Sequence, residues 1–312
     1  MSTSTAILIE EKNSPFRKLV ILNIITGIAL GLNFITPFFT EDSDILLYAC
    51  ILLIISAGLL HGCNDLDNFF SKEFSKRSLK SFVIYIMLFL FAAGALYLFP
   101  NWGIYAFIVL SGYHFGQQDL ENELDNTGYW PIVFKCSFGL AVLLLMLYLN
   151  IDQVNIFLET YLDIVLLTTV LEVLLFSTLA LQLISGIISW SKNDQLGATF
   201  VNLQVALVLF FFFFQSANLL WSFTFYFIVW HSLPSLRHQV SEHYGEVSQT
   251  AIKAYLKEAM VWYILSMIGI SILAFMAFNY NVEKLVLSVI FAATVPHMII
   301  HLKTLHLKDR LF

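Results

Sequence analysis

Long apolar stretches separated by short polar segments run through almost the whole chain. A transmembrane helix needs roughly 20 predominantly apolar residues to cross the hydrocarbon core of a bilayer. Each stretch near that length therefore predicts one spanning helix. The ten predicted spans cover residues 18–39, 45–64, 80–99, 102–117, 130–150, 162–190, 198–215, 218–236, 259–279 and 284–303. The pattern predicts an all-α protein, a polytopic integral membrane bundle of about ten transmembrane helices.

The composition agrees with a membrane-embedded chain and argues against a soluble one. Of the 312 residues, 59% are hydrophobic and 12% are charged, and the mean hydropathy is +0.79. An average soluble domain is about 45–50% apolar and about 25% charged. The formal net charge of −6 disfavours nucleic acid as a partner, because phosphates attract basic surfaces. We expect a single transmembrane domain over 18–303, with cytoplasmic tails at 1–17 and 304–312.

The positions of lysine and arginine predict how the spans are oriented. With ten crossings and a cytoplasmic N-terminus, 15 of the 16 basic residues fall on the cytoplasmic side, and only Lys284 falls outside. Cytoplasmic loops of membrane proteins carry an excess of these residues. An odd number of spans would scatter the basic residues over both sides. Both termini are therefore predicted to be cytoplasmic.

Histidines cluster in the cytoplasmic half of four predicted spans. Ionisable side chains inside a membrane are costly and are usually functional. Imidazole is a ligand for iron, zinc, copper and nickel, whereas calcium and magnesium prefer oxygen ligands. Six histidines at one depth on four helices therefore predict a metal site near the cytoplasmic face. They are His61, His114, His231, His238, His297 and His301.

Spacing sorts these histidines into pairs. His297 and His301 are four residues apart, so they share one helical face. His231 and His238 are seven residues apart, which separates them by about 10 Å along an unbroken helix. Pro234 lies between them and removes a backbone hydrogen bond, so a kink there would bring the two imidazoles closer.

Carboxylates and glycines follow two of the histidines closely. Asp65 and Asp119 come four or five residues after His61 and His114. Each carboxylate is either an acceptor for the second N–H of a metal-bound imidazole or a solvated group at the membrane interface. Gly62 and Gly116 either allow close helix approach or end their helices.

Four histidine-containing segments, in chain order, resemble motifs of the Brp/Blh family of bacterial and archaeal β-carotene 15,15′-dioxygenases. The segments are His61-Gly62-x-x-Asp65, His114-Phe115-Gly116-x-x-Asp119, His231-Ser232 through Arg237-His238, and Val295-Pro296-His297-Met298-Ile299. The resemblance implies an all-helical, multi-pass enzyme of the cell inner (plasma) membrane that uses Fe²⁺ without haem. It implies cleavage of β-carotene by O₂ at the central double bond to two molecules of all-trans-retinal. It also suggests a functional link to a retinal-binding rhodopsin.

The resemblance also implies a ligand set. The four iron-binding histidines of the family correspond to His61, His114, His231 and His238. The third family motif resembles H-S-x-x-H, in which the two histidines are four residues apart. In this chain the corresponding residues, His231 and His238, are seven apart, so three more residues lie between them. For that reason His297 is the reserve ligand, with His301 beside it. Asp65 and Asp119 are either acceptors for the ligating imidazoles or solvated carboxylates.

Two other classes of function fit part of the pattern. A metal or proton transporter could use the histidines as a relay, but such a protein would need carboxylates deep in its spans, and only Glu172 qualifies. A cytochrome with bis-histidine haem would also place histidines on one side. The chain has no P-loop, no G-x-S-x-G and no Rossmann glycine pattern, so nucleotide-dependent and serine-hydrolase chemistry has no support.

Aromatic side chains are dense before the third histidine motif, in 210–214 and 221–230. Most are expected to be ordinary core or lipid-facing residues. A long apolar substrate would require walls of this kind.

Overall fold

The computed structural model describes residues 15–35, 43–62, 76–121, 123–124, 128–280, 284, 288–289 and 291–298. Of these residues 91% are helical and none forms a strand. The all-α prediction is confirmed for this part of the chain. Five of the described helices are long and apolar enough to cross a membrane, which identifies a membrane protein.

The described part of the chain contains eleven α-helices and one π-helix. In chain order they are α1 (Pro15–Ile35), α2 (Asp44–Gly62), α3 (Lys76–Leu98), α4 (Pro100–Asp119), α5 (Tyr129–Leu149), α6 (Ile151–Leu162), α7 (Thr168–Lys192), α8 (Leu196–Ser216), α9 (Leu219–Phe225), a π-helix (Tyr226–Ser232), α10 (Leu233–Tyr244) and α11 (Gln249–Tyr280). The five that could span a membrane are α1, α5, α7, α8 and α11.

The predicted span 162–190 begins too early, and a separate short helix precedes it. Residues 152–161, which lie between two predicted spans, belong to α6. Asp163 has a φ of 57° and follows the end of that helix, and α7 begins at Thr168. The Asn155 side chain accepts from the backbone N–H of Leu166 at 2.8 Å and donates to its carbonyl at 3.2 Å. These bonds hold an apolar segment in a non-helical conformation that hydropathy alone cannot distinguish from helix.

The predicted span 259–279 also starts late, because α11 begins ten residues earlier. Its first turns are amphipathic, with Ala251, Tyr255 and Ala259 buried against Val240 of α10. A search for uniformly apolar residues misses such a segment, since Lys253 and its polar neighbours lie on the other face. In the same way the predicted span 218–236 ends too early, because helical structure continues to Tyr244.

The described chain forms two compact units. The first unit comprises Met1–Ile54, Ser111–Ile156 and Leu166–Pro234, and the second comprises Ile55–Leu110, Phe157–Val165 and Ser235–Phe312. In the first unit α5 packs against α7 and α8, and α1 packs along α8. In the second unit α10 and α11 share a core with Leu59 of α2.

The aromatic run on α8 is divided between the core and the surface. Phe210, Phe213 and Phe214 are fully buried, whereas Phe211 and Phe212 are exposed. Positions three and four apart lie on the same face of a helix, so a continuous run of phenylalanine places some rings in the core and others on the surface. The expectation that these residues are mostly core or lipid-facing is thus confirmed for α8.

Candidate active site

The helix that carries His114 is held against α5 by glycines. A Cβ atom built on Gly116 would lie 2.0 Å from the carbonyl oxygen of Lys135, and one on Gly139 would lie 2.3 Å from the backbone nitrogen of Gly116. A Cβ on Gly112 would lie 2.6 Å from the Cα of Leu140. Only glycine allows two helix backbones to approach this closely. Of the two interpretations of Gly116, close helix approach is therefore correct.

The helix that carries His231 is wound more widely than an α-helix. Residues 226–232 form a π-helix, and the backbone N–H of Leu233 donates to the carbonyl of Ile228, five residues earlier. Pro234 follows directly. In an α-helix its ring would clash with the carbonyl of Trp230, four residues before it, so the wider turn relieves a steric conflict.

The wide turn changes which side chains share a face. In an α-helix, residues five apart are about 140° apart around the axis. In a π-helix, bonded from i to i+5, five residues make roughly one turn. Tyr226 and His231 are five residues apart, and both contact the same carboxylate, that of Asp119.

Asp119, the last residue of α4, lies at the centre of this arrangement. Tyr226 Oη donates to Asp119 Oδ2 at 2.7 Å, and Asp119 Oδ1 lies 2.7 Å from His231 Nδ1. The exposed fractions of Asp119, Tyr226 and His231 are 4%, 0% and 1%. The interpretation of Asp119 as a solvated carboxylate is therefore wrong. The imidazole that Asp119 contacts is that of His231, which lies 112 residues later in the chain, in the π-helix.

The hydrogen bonds at Asp119 favour one protonation pattern. Asp119 follows the predicted span 102–117, and burial raises its pKa to about 8, while the Tyr226 hydrogen bond and the charge of Lys18 lower it. By donating to Oδ2, Tyr226 favours the ionised carboxylate, which can only accept. The ionised form prevails above this pKa, and opposite an ionised Asp119 the His231 ring carries its proton on Nδ1 and its lone pair on Nε2.

His114 lies beside His231, although the two come from different helices. The centres of their rings are 5.3 Å apart and their planes are inclined by 69°. Phe115 and Phe227 enclose the His231 ring further, with centre distances of 4.6 and 5.6 Å. Two of the predicted ligands are thus buried together in an otherwise aromatic environment.

The neighbouring imidazoles of His114 and His231 fit ferrous iron. Two buried imidazoles, one of them with its Nδ1 engaged, offer the neutral nitrogen ligands that iron accepts. Within the described residues, no three His, Cys, Asp or Glu side chains form a group able to hold an ion. The side chain of His61, and all of Asp65 and His301, lie outside the described residues. The four-histidine ligand set therefore stays a prediction.

Two predicted site residues of the second unit, His238 and His297, have described side chains. His238 lies in α10, with its Nε2 3.5 Å from Oε2 of Glu242. His297 Nδ1 lies 4.0 Å from the place where a Cβ of Gly62 would be, so this ring is beside the residue that follows His61. The structure brings the reserve ligand His297 to the end of α2 that carries a predicted ligand.

Three residues at the site were missed by the sequence analysis. Tyr226 binds Asp119, and Lys18 Nζ lies 2.6 Å from Glu123 Oε1 and 3.2 Å from the carbonyl oxygen of Asp119. Residues five apart do not share a face of an α-helix, so the spacing of Tyr226 and His231 predicts no common contact. The only sequence signal for a wider helix is the proline that follows His231. The ion pair joins α1 to the turn after α4, a contact that no local pattern indicates.

The fold and the site define a helical membrane protein with a buried histidine–carboxylate centre. The family model of β-carotene 15,15′-dioxygenase matches residues 52–303, which include every predicted site residue. The chain therefore belongs to the β-carotene 15,15′-dioxygenase family, as the histidine motifs predicted. No individual curated protein and no solved structure matches the chain.

Proposed function

We propose that this protein is an Fe²⁺-dependent dioxygenase that cleaves β-carotene at the 15,15′ double bond into two molecules of all-trans-retinal. Family membership supports a carotene dioxygenase activity. The observation that carries the proposal is the buried pair of His114 and His231, with Asp119 bound to the second imidazole. His61 and His238 complete the proposed ligand set. Iron bound there would supply the activation of O₂, which organic side chains cannot perform.

The residues of the chain prepare this site. Asp119 and Tyr226 hold the His231 ring through its Nδ1, and the glycine contact of α4 with α5 fixes the position of His114. Lys18 and Glu123 anchor the end of α4. Side chains held by packing and outer hydrogen bonds bind a metal ion without first paying for their ordering.

A row of aromatic rings leads from the candidate site along one face of the helix. Phe223 stacks on Phe227 at 5.3 Å with 12° between the planes, and Phe227 stacks on His231 at 5.6 Å with 27°. Both phenylalanines are only half-buried. β-Carotene is a hydrocarbon rod without polar groups, so a site can select it only by apolar shape. We infer that these rings form a wall along which the polyene lies after entering from membrane lipid.

The activity is testable in a bacterium that makes β-carotene. Expression of this chain should bleach the cells and produce retinal, measured by chromatography. The purified protein should hold about one iron per chain without a haem absorption band. Chelation should abolish activity and Fe²⁺ should restore it, whereas Zn²⁺ should not, because zinc has no redox chemistry. Full activity in a verified iron-free preparation would refute the mechanism, and a Soret band would favour the cytochrome alternative.

We further propose ten crossings with both termini in the cytoplasm. The contact of Lys18 with Glu123 supports this topology, because it joins the start of α1 to the turn after α4, two segments predicted to lie on the same side. Reporter fusions at Pro100 and within 215–218 should report the outside, and a fusion after Phe312 should report the cytoplasm. Export of the C-terminal reporter would contradict the ten crossings.

On this topology the site lies near the inner face, where a retinal-binding rhodopsin is the proposed consumer of the product.

A further inference from the structure

Tyr226 has a role that filling the core does not explain. Its hydroxyl is fully buried and donates to Oδ2 of Asp119, whose other oxygen contacts His231. The phenol ring is fixed on two sides, with ring-centre distances of 5.6 Å to both Phe115 and Phe210. The hydroxyl therefore has little freedom, and it meets the carboxyl group that contacts His231.

The π-helix that carries Tyr226 is itself anchored. Trp230 Nε1 donates to Oγ1 of Thr26 on α1 at 3.0 Å, and the Trp230 ring packs 4.9 Å from Phe210 of α8. These contacts hold the wide turn in place, so the positions of Tyr226 and His231 are fixed by the same short segment. An α-helical winding of this segment would turn one of them away from the carboxylate.

We propose that Tyr226 is a positioning residue for the metal site, acting through Asp119 to hold His231 in the tautomer with the proton on Nδ1. The inference rests on the proposed function in that it takes His231 as an iron ligand. With its Oδ2 engaged by Tyr226, the carboxyl group keeps one orientation and presents Oδ1 to His231 Nδ1 at 2.7 Å. An ionised carboxylate can only accept there, which requires the proton on Nδ1. In this tautomer the ring carries its lone pair on Nε2. Without the hydroxyl, the carboxyl group can rotate, and the imidazole loses its preference for this tautomer.

The test compares two single-hydroxyl deletions, Tyr226→Phe and Tyr255→Phe. Tyr255 is an equally suitable control because it is also buried and its hydroxyl donates to Gln239 in the α10–α11 core. Iron affinity is measured by competition with a chelator on the full-length protein in detergent. Tyr226→Phe should bind Fe²⁺ about 10-fold more weakly, at the lower end of the roughly 10–100-fold effects of outer-shell partners. Tyr255→Phe should bind as the unsubstituted protein does.

A second measurement does not depend on iron. In metal-free protein labelled with ¹⁵N-histidine, the resonances of His231, identified by their loss in His231→Gln, should report a protonated Nδ1. In Tyr226→Phe they should shift toward a mixture of tautomers, while in Tyr255→Phe they should not change. The unfolding midpoints of the two phenylalanine variants should be similar, because each loses one buried hydrogen bond.

Three results would overturn the inference. One is an unchanged His231 tautomer in Tyr226→Phe, and another is an equal loss of iron affinity in both variants. The third is a much lower unfolding midpoint for Tyr226→Phe than for Tyr255→Phe, which would assign the hydroxyl to stability alone. Failure of the proposed function is distinguishable, since the unsubstituted protein would then bind no iron while the tautomer measurements still gave the expected difference.

Discussion

Replacing His231 or His114 with alanine is expected to abolish retinal formation and to remove most of the bound iron. Each substitution deletes one proposed ligand and leaves the remaining imidazoles with an incomplete site. In His231→Ala the Asp119 carboxylate also loses its 2.7 Å contact inside a buried environment. Loss of an outer partner alone costs about 10–100-fold in metal affinity or activity, so loss of a ligand should lower retinal formation by more than ~100-fold. Metal analysis and chromatography of retinal measure both effects.

His243→Ala is the matched control for these variants. The His243 side chain is 64% exposed and contacts Glu258 at 3.6 Å, so its loss should change neither iron content nor retinal formation. Normal iron in His231→Ala would refute the ligand assignment.

The same measurements on His238→Ala and His297→Ala identify the fourth ligand. We expect His238→Ala to lose iron, and loss in His297→Ala alone would transfer the assignment to the ring beside Gly62.

A single methyl group on Gly116 should prevent stable packing of the helix that carries His114. The added Cβ would lie 2.0 Å from the Lys135 carbonyl oxygen, which is backbone and cannot rotate aside. Alanine is a better helix former than glycine by up to ~1 kcal/mol, but separating two helices in a packed core costs more. We expect Gly116→Ala to lower the free energy of unfolding by about 3 kcal/mol or more.

Gly31→Ala provides the comparison for this effect. Gly31 is also inside a helix, α1, but no described atom lies within 4 Å of the position that its Cβ would take. Its substitution should leave the thermal unfolding midpoint in detergent unchanged or slightly raised. Gly139→Ala, on the opposite side of the contact, should behave like Gly116→Ala. A Gly116→Ala protein as stable as Gly31→Ala would show that α4 and α5 do not require glycine at their crossing.

The predicted helix boundaries are correct where the helix is apolar nearly all around, and they are wrong where only one face is apolar or where hydropathy does not determine the conformation. The predicted span 130–150 agrees with α5 within one residue at each end, because nearly all residues of that helix are apolar. The beginning of α11 was missed because Tyr255 and its neighbours bury only one face. The segment before Thr168 was taken for helix because side-chain bonds from Asn155, and not hydropathy, determine its conformation.

The candidate site was predictable as a set of residue types but not as an arrangement. The placement of His114 and His231 at corresponding ends of apolar spans indicated that they share a depth, and the structure brings their rings together. The interpretation of Asp119 as a partner for an imidazole was one of two left open by the sequence. The structure selects it and identifies His231 as the histidine that Asp119 contacts.

The sequence by itself determined the class of the protein, its helical content and its family, because hydropathy over 20 residues and short motifs are local properties. Only the tertiary structure decided that Tyr226 and His231 meet one carboxylate. That outcome depends on a helix widened before Pro234 and on a glycine crossing between α4 and α5. Both are contacts between backbones, and the distance between two backbones is set by the packing of the whole unit, which no local spacing of residues encodes.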